Sequence, residues 1–181
     1  MNSGKSAIWY LAVLCVGVLF ATHALAGMDK FPEENIQAPE EAGYQEYLGI
    51  SDNEVFVIGD VKADLALVQL FSMYCPICQR EASEVNELYE LIQEQGLGES
   101  IKIFGIAPGN SSFEVSVFRD RYEVEFPLIP DPDFVWHERL GEVGTPTFYV
   151  VNPANAQVLD AHTGPFPDGV EAYLDSVKEL L

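Results

Sequence analysis

Basic residues are scarce in this chain. Nine Lys and Arg stand against 29 Asp and Glu, giving a formal net charge of −20. Without a basic patch to release counterions, nucleic acid and anionic lipid surfaces are poor partners, and no nucleic-acid partner is expected. The acidity reads either as solubility or as steering toward a basic partner, for instance a basic exported protein. Cysteine is also rare, with only Cys15, Cys75 and Cys78, and the three histidines (His23, His137, His162) are scattered singly. A zinc site assembled from ligand pairs is therefore short of its second pair, and no metal or other cofactor is expected. No internal repeat and no low-complexity linker divides the chain, so 181 residues read as one domain with enough length to bury a core.

The N-terminus has the pattern of an export signal. Lys5 supplies a positive region, residues 7–20 are apolar, and Ala24-Leu25-Ala26 is an A-x-A cleavage pattern before Gly27. Residues 1–26 are expected to be a signal peptide. An uncleaved anchor is the alternative, because residues 7–26 are about long enough to span a bilayer. Leu14 is too large for the small residue that normally precedes a lipidated cysteine, so Cys15 is not read as one. The mature chain keeps one cysteine pair and works outside the cytoplasm, in a periplasm-like compartment where disulfides persist.

That pair sits where the chain changes character. Residues 65–71 are a short apolar run that reads as a buried strand, and Cys75-Pro76-Ile77-Cys78 follows. Beyond it Ala82, Val85, Leu88, Tyr89 and Ile92 recur at helical spacing. Free N–H groups and the positive end of the helix dipole stabilise a thiolate on the first cysteine. Two intervening residues let the second sulfur close a small ring or resolve a mixed disulfide. Pro76 loses nothing in a first helical turn. The same spacing also fits half a zinc site or a structural disulfide, though a bridge closing so small a loop would staple almost nothing.

The remaining elements follow from local signals. Residues 27–43, rich in Pro, Glu and Ala, are expected to be an extended segment, with the domain proper at 44–181. Residues 44–50 and 54–58 read as short strands around a turn at 51–53. A second apolar strand covers 101–107. Ser111 and Glu114 form a capping box opening a helix to about Tyr122. Residues 126–129 are a short strand, and Pro130-Asp131-Pro132 a turn. Asp133 is placed as the cap of a brief helix carrying Phe134, Trp136 and Leu140. A strand over 143–152 and its hairpin partner over 158–163 precede a last helix, with Asp168 as its cap. The alternation β-α-β-α-β-β-α is an α/β layout, parallel first and then antiparallel.

These residues resemble the thioredoxin superfamily. The resemblance rests on residues 71–81, on Gly144-Thr145-Pro146-Thr147 and on the turn Asn152-Pro153-Ala154-Asn155 with its hairpin. It covers residues 44–181, and the exported thiol–disulfide oxidoreductases of the TlpA/ResA type are the nearest branch. The resemblance implies a thioredoxin-like fold, a central mixed sheet flanked by helices, with cis-Pro146 opposite the N-terminus of the C-x-x-C helix. From the sequence alone, Pro146 also fits a residue that simply begins an edge strand. The resemblance further implies Cys75 as nucleophile and Cys78 as buried resolving thiol, exchanging with a disulfide through a mixed disulfide. Thr145 would offer its backbone to an extended substrate beside Tyr74 and Pro76. Gln69 stands where thioredoxins proper carry a buried proton-accepting Asp. The TlpA/ResA branch places an acid three residues after the second cysteine, and Glu81 matches it. Its bland alternative is one more exposed acid beside Glu84, Glu87 and Glu90.

Tyr74 replaces the usual Trp, and Pro76-Ile77 differs from the branch's usual pair. Neither ring residue brings charge, which tilts the expectation toward a reductant over a strong oxidant. The implied partners are protein disulfides or dithiols, apocytochrome c among them, and a membrane electron donor. An oxidising or isomerising role, a peroxiredoxin-like peroxidase and a Sco-like copper-binding module are the rivals. The peroxidase lacks its proline, since Val68 stands there. The copper module wants three residues between its cysteines and a nearby His, for which only His162 is available.

Overall fold

The computed structural model describes residues 28–50 and 54–181. The signal-peptide segment with Cys15 and His23, and the turn expected at 51–53, lie outside the described residues. In chain order the elements are β1 (Ile36–Gln37), α1 (Ala42–Leu48), β2 (Val55–Phe56), a 3-10 turn (Ile58–Asp60), β3 (Leu65–Leu70) and α2 (Pro76–Glu94). Then come β4 (Ile101–Pro108), α3 (Ser112–Tyr122), β5 (Leu128–Asp131), α4 (Val135–Arg139), β6 (Thr147–Asn152), β7 (Gln157–Thr163) and α5 (Val170–Lys178).

Five strands form one mixed sheet in the order β5-β4-β3-β6-β7. β3 pairs parallel with β4, and β4 with β5, while β3–β6 and β6–β7 are antiparallel. β3 is central and every one of its six residues is buried, which is why its sequence is a run and not an alternation. Successive side chains still point to opposite faces. Leu65 and Leu67, with Ile101, Ile103, Phe148 and Val150, pack under α2, α3 and α5. Ala66, Val68 and Leu70, with Phe104, Ile106, Tyr149 and Val151, build a second layer on the other face. Each such fully buried aliphatic or aromatic side chain contributes about 1.5–3 kcal/mol over leaving it exposed. Gly105 in β4 is there for closeness. A Cβ would lie 2.8 Å from Leu128 and 2.9 Å from the ring of Phe71.

The second layer corrects several sequence expectations. Residues 44–50 are not a strand but mostly α1, closed by Gly49 in the left-handed region at φ 73°. Leu48 is its buried contact, and the Tyr47 hydroxyl accepts from the Ile103 N–H at 2.9 Å. The supposed extended lead-in carries β1, paired with β2, and buries Phe31, Ile36 and Ala38 in the second layer. Phe31 stacks on Trp136 of α4. Pro130 and Asp131 belong to β5 and not to a turn. The cap position of α4 expected for Asp133 is held by Phe134, and the first-turn N–H groups of Trp136 and His137 go to the Asp131 carboxylate of β5, both at 3.1 Å. Gly169, with no side-chain hydrogen bond, holds the cap position of α5 expected for Asp168.

The register fixes where chemistry can occur. Parallel β3 and β4 both end at one edge of the sheet, releasing Phe71 and Gly109. Leu70 lies opposite Thr147, so the start of antiparallel β6, preceded by Thr145 and Pro146, reaches the same edge.

Candidate active site

Cys75 is the N-cap of α2, with extended backbone (φ −80°, ψ 114°) and Pro76 opening the helix. Its Sγ accepts from the Cys78 N–H at 3.3 Å, the bond that an N-cap side-chain oxygen usually makes. Both cysteines are reduced. Cys75 is partly exposed, whereas Cys78 is 1% exposed. The Thr145–Pro146 peptide is cis, and the Cys75 thiol donates to the Thr145 carbonyl at 3.2 Å.

The two thiols differ electrostatically. Burial works to raise Cys75. Hydrogen bonds from the Cys78 thiol, the Thr145 side chain and the N–H groups of Cys78 and Ile77 outweigh it, leaving Cys75 below its ordinary value. The S–H···O=C contact to Thr145 belongs to the protonated form and must open as the thiolate forms. Cys78 is pushed up to about 12, first by burial and then by its hydrogen bond to Cys75, against a backbone hydrogen bond from Ser72. One thiol is set to ionise and the other to stay protonated.

Glu81 is 9% exposed and lies on the buried stripe of α2 with Cys78, Ala82, Val85, Leu88 and Ile92. It is thus unlike Glu87 and Glu90, which face solvent. Arg80 donates to its carboxylate at 3.0 Å from the solvent side. Glu84 is raised above the ordinary carboxyl range by partial burial, then by the charge of Glu81 and a hydrogen bond with it. Tyr74 is 64% exposed and its hydroxyl donates to Glu114. This contact raises the phenol and lowers the carboxyl. Pro76 is exposed and Pro146 buried.

Several participants are absent from the sequence reading. Buried Asn110, after β4, accepts from the Met73 N–H at 2.8 Å and donates to the Ser72 hydroxyl at 3.2 Å. Gln79 donates to the Met73 carbonyl at 2.6 Å. Ser111 and Glu114 are legible as a capping box, but the tie from Glu114 to Tyr74 spans forty residues and leaves no local trace. His162, the residue a copper site would draw on, hydrogen-bonds the Pro165 carbonyl through Nε2 at 2.7 Å and packs on Phe166. Among the described residues no cluster of three or more His, Cys, Asp or Glu is placed to hold a metal ion.

A reduced C-x-x-C pair capping a helix beside a cis-proline, on a mixed sheet, defines a thioredoxin-like protein. A family model described as the AhpC/TSA family matches residues 42–157, and the chain belongs to that family. Over 128 residues it is 24% identical to the thiol-disulfide oxidoreductase ResA of Halalkalibacterium halodurans, covering 70% of each chain. Two solved structures show the same fold. One is a Chlorobium tepidum protein assigned as the thiol:disulfide interchange protein DsbE (TM-score 0.63, 17% identity, 84% of this chain and 95% of that one). The other is StoA from Bacillus subtilis (TM-score 0.56, 18% identity, 70% and 90%).

Proposed function

We propose that the protein is an exported thiol–disulfide oxidoreductase that reduces protein disulfides through Cys75 and Cys78. The observation that carries this reading is the asymmetry of the pair: an accessible, low thiol at the helix N-terminus beside the Thr145 backbone, and a buried, raised one behind it. The Cys75 thiolate attacks one sulfur of a substrate disulfide. A Cys75–substrate bond forms and the other substrate sulfur leaves as a thiolate, which takes a proton. Cys78 then loses its proton and attacks Cys75, forming the Cys75–Cys78 disulfide and expelling the second substrate sulfur. Two electrons pass to the substrate. Glu81, on the same helical face as Cys78 and largely buried, is the group we assign to receive the Cys78 proton.

Tyr74, Pro76, Thr145 and Pro146 line the substrate side. Thr145 offers backbone groups to an extended segment. The exposed apolar side chains of Tyr74 and Ile77 flank the nucleophile, and Phe113 adjoins the Glu114 that Tyr74 touches. That surface suits a polypeptide substrate more than a small molecule. A thiol donor in the membrane would return the electrons. The Lys5, apolar 7–20 and Ala24-Leu25-Ala26 pattern read as a signal peptide supports an extracytoplasmic site of action. Among the described residues no helix is long and apolar enough to cross a membrane.

The test is the reduction potential of the Cys75/Cys78 couple. A value near or below about −270 mV marks a reductant. A value near about −120 mV makes the protein a disulfide donor and overturns the direction. Turnover of hydrogen peroxide with no disulfide exchange would overturn the reaction class.

A further inference from the structure

α3 starts at the sheet edge that carries the dithiol and runs back from it beside α2, where Asn86 donates to the Tyr122 carbonyl at 2.7 Å. One stripe of this helix is left uncovered. Phe113, Val117 and Arg121 recur four residues apart, so they share a face, and Phe113 and Val117 are 75% and 37% exposed. Phe113 adjoins Glu114, which holds the Tyr74 hydroxyl one residue before the nucleophile. The stripe therefore begins at the dithiol.

Between the two helices lies a hollow of about 180 Å³, lined by Met73 and Gln79 on one side and by Val117, Phe118, Arg121 and Tyr122 on the other. It is too small for a whole small-molecule ligand and suits one side chain. Phe118 is buried and Met73 and Tyr122 half-buried, so the floor is apolar, while Gln79 and Arg121 are exposed at the rim. Gln79 is already committed to the Met73 carbonyl through its amide nitrogen. Arg121 lies over the Tyr122 ring at 5.6 Å and pairs with no carboxylate among the described residues. Arg80, Arg119 and Arg139 each pair with a glutamate. In a chain with 29 Asp and Glu, an arginine left free beside the reactive edge is the exception. A cation in the last turn of α3 suits the helix dipole, but the dipole does not call for an apolar hollow beneath it.

We propose that this stripe is a docking track for the substrate polypeptide and that Arg121 determines specificity by taking a carboxylate of the segment flanking the substrate disulfide, a role that rests on the dithiol reading above. The segment lays an apolar side chain against Phe113 and Val117. Its Asp or Glu places the stem in the hollow and the carboxylate on the guanidinium. Phe113 and Arg121 are about 12 Å apart along the helix, which an extended chain covers in about four residues. The residue over Phe113 is close to the substrate cysteine, so the acid falls about five residues from that cysteine, on the side away from Thr145.

The experiment measures mixed-disulfide formation by the full protein with disulfide-bonded peptides that carry Glu or Gln at one scanned position on either side of the half-cystine. The Glu-to-Gln rate ratio is expected to peak at about five residues, about two- to fivefold above its value elsewhere, and Arg121→Gln to flatten that peak. Arg121→Lys keeps the charge without the fork and should retain part of it. Salt at about 1 M should shrink the peak in the wild type, because the pair is exposed. Phe113→Ser should slow both peptides and leave the ratio in place. The ratio is the readout, so a general effect of a substitution on the helix cancels, and Arg121 is exposed, so its replacement needs no repacking. A ratio that is flat along the wild-type scan, or a peak that survives in Arg121→Gln, overturns the proposal. A wild-type protein that forms no mixed disulfide with any peptide or with neutral hydroxyethyl disulfide overturns the dithiol reading instead, so the two failures are separable.

Discussion

Two strand-to-helix junctions lie side by side at one edge of the sheet, built from parallel neighbours and closed in opposite ways. At β4–α3 the cap is Ser111, whose hydroxyl accepts from the Glu114 N–H while Glu114 accepts from the Ser111 N–H at 2.7 Å. That capping box also puts a carboxylate in the first turn of α3, against the positive end of its dipole. At β3–α2 the cap is Cys75, and the first turn of α2 holds no acid. In both, the cap side chain accepts from the N–H three residues on; the capping atom and the first-turn carboxylate differ. A hydroxyl capped and compensated makes a stable helix start; a thiol left uncompensated makes a nucleophile. What separates a structural corner from a reactive one here is a sulfur in place of an oxygen, together with one unfilled electrostatic position.

The comparison breaks most completely with Cys75→Ser, which turns the α2 cap into the α3 kind. Helix and fold should persist, because Ser is a good N-cap. Disulfide exchange should fall by on the order of 10³-fold or more, measured with a peptide disulfide. A smaller but distinctive effect concerns the reduced protein's stability against pH. Cys75 is lowered, so its contribution is present above its ordinary value and lost as pH falls through the folded one. Cys78 is raised from 9.0 to about 12, so its contribution is full below pH 9 and is lost as pH climbs toward 12. Above pH 9 the Cys78 part changes by about 1.4 kcal/mol per unit at most. The phenols of Tyr47, Tyr89, Tyr149 and Tyr173, also raised by burial, add a loss of the same sign as pH climbs through their ordinary value of 10.0. Denaturant titrations of the reduced protein at pH 8 and 10 should show this loss, and Cys78→Ser should make it smaller, leaving the share of the tyrosines. An equal slope in the variant would mean that Cys78 is not the group responsible.

Much of this was legible along the chain. β3, α2, β4, the α3 capping box and the β6–β7 hairpin all announce themselves by period or by cap, because each is decided by residues within one turn or one strand. The pair Cys75 and Cys78 was legible for the same reason. The burial of Glu81 was half visible, since it falls on the stripe of Cys78, Val85 and Leu88, but its neighbours Glu84, Glu87 and Glu90 disguise it. Failures gathered where tertiary packing decides. Tyr47, Leu48 and Ile50 read equally well as a strand, and only docking of Leu48 and of the Tyr47 hydroxyl on the sheet selects a helix; Gly49 was the one local hint. Phe31 and Ile36 are hidden in a Pro- and Glu-rich stretch. Asn110 meets Ser72 and Met73 across nearly forty residues, a contact that no periodicity encodes.

The sharper form of the comparison fills the empty position. Ile77→Asp gives α2 the first-turn carboxylate that α3 already has, at an exposed site where nothing must be repacked. Two effects of opposite sign follow from one charge. The carboxylate interacts favourably with the helix N-terminus, stabilising the fold by about 0.3–1 kcal/mol. The same charge beside Cys75 disfavours its thiolate, so the Cys75 titration, followed by thiolate absorbance, should move up and attack at neutral pH should slow about two- to fivefold. Because the reduced form loses thiolate stabilisation, the potential should become slightly more negative. The control is the other corner. Ser111→Ala should cost about 1 kcal/mol, a fall in Tm of roughly 2–4 °C, with the Cys75 titration and the potential unmoved. If Ser111→Ala shifts the potential as much as Ile77→Asp does, the two corners are not electrostatically separate, and the reactivity of Cys75 belongs to the whole edge of the sheet and not to its own helix.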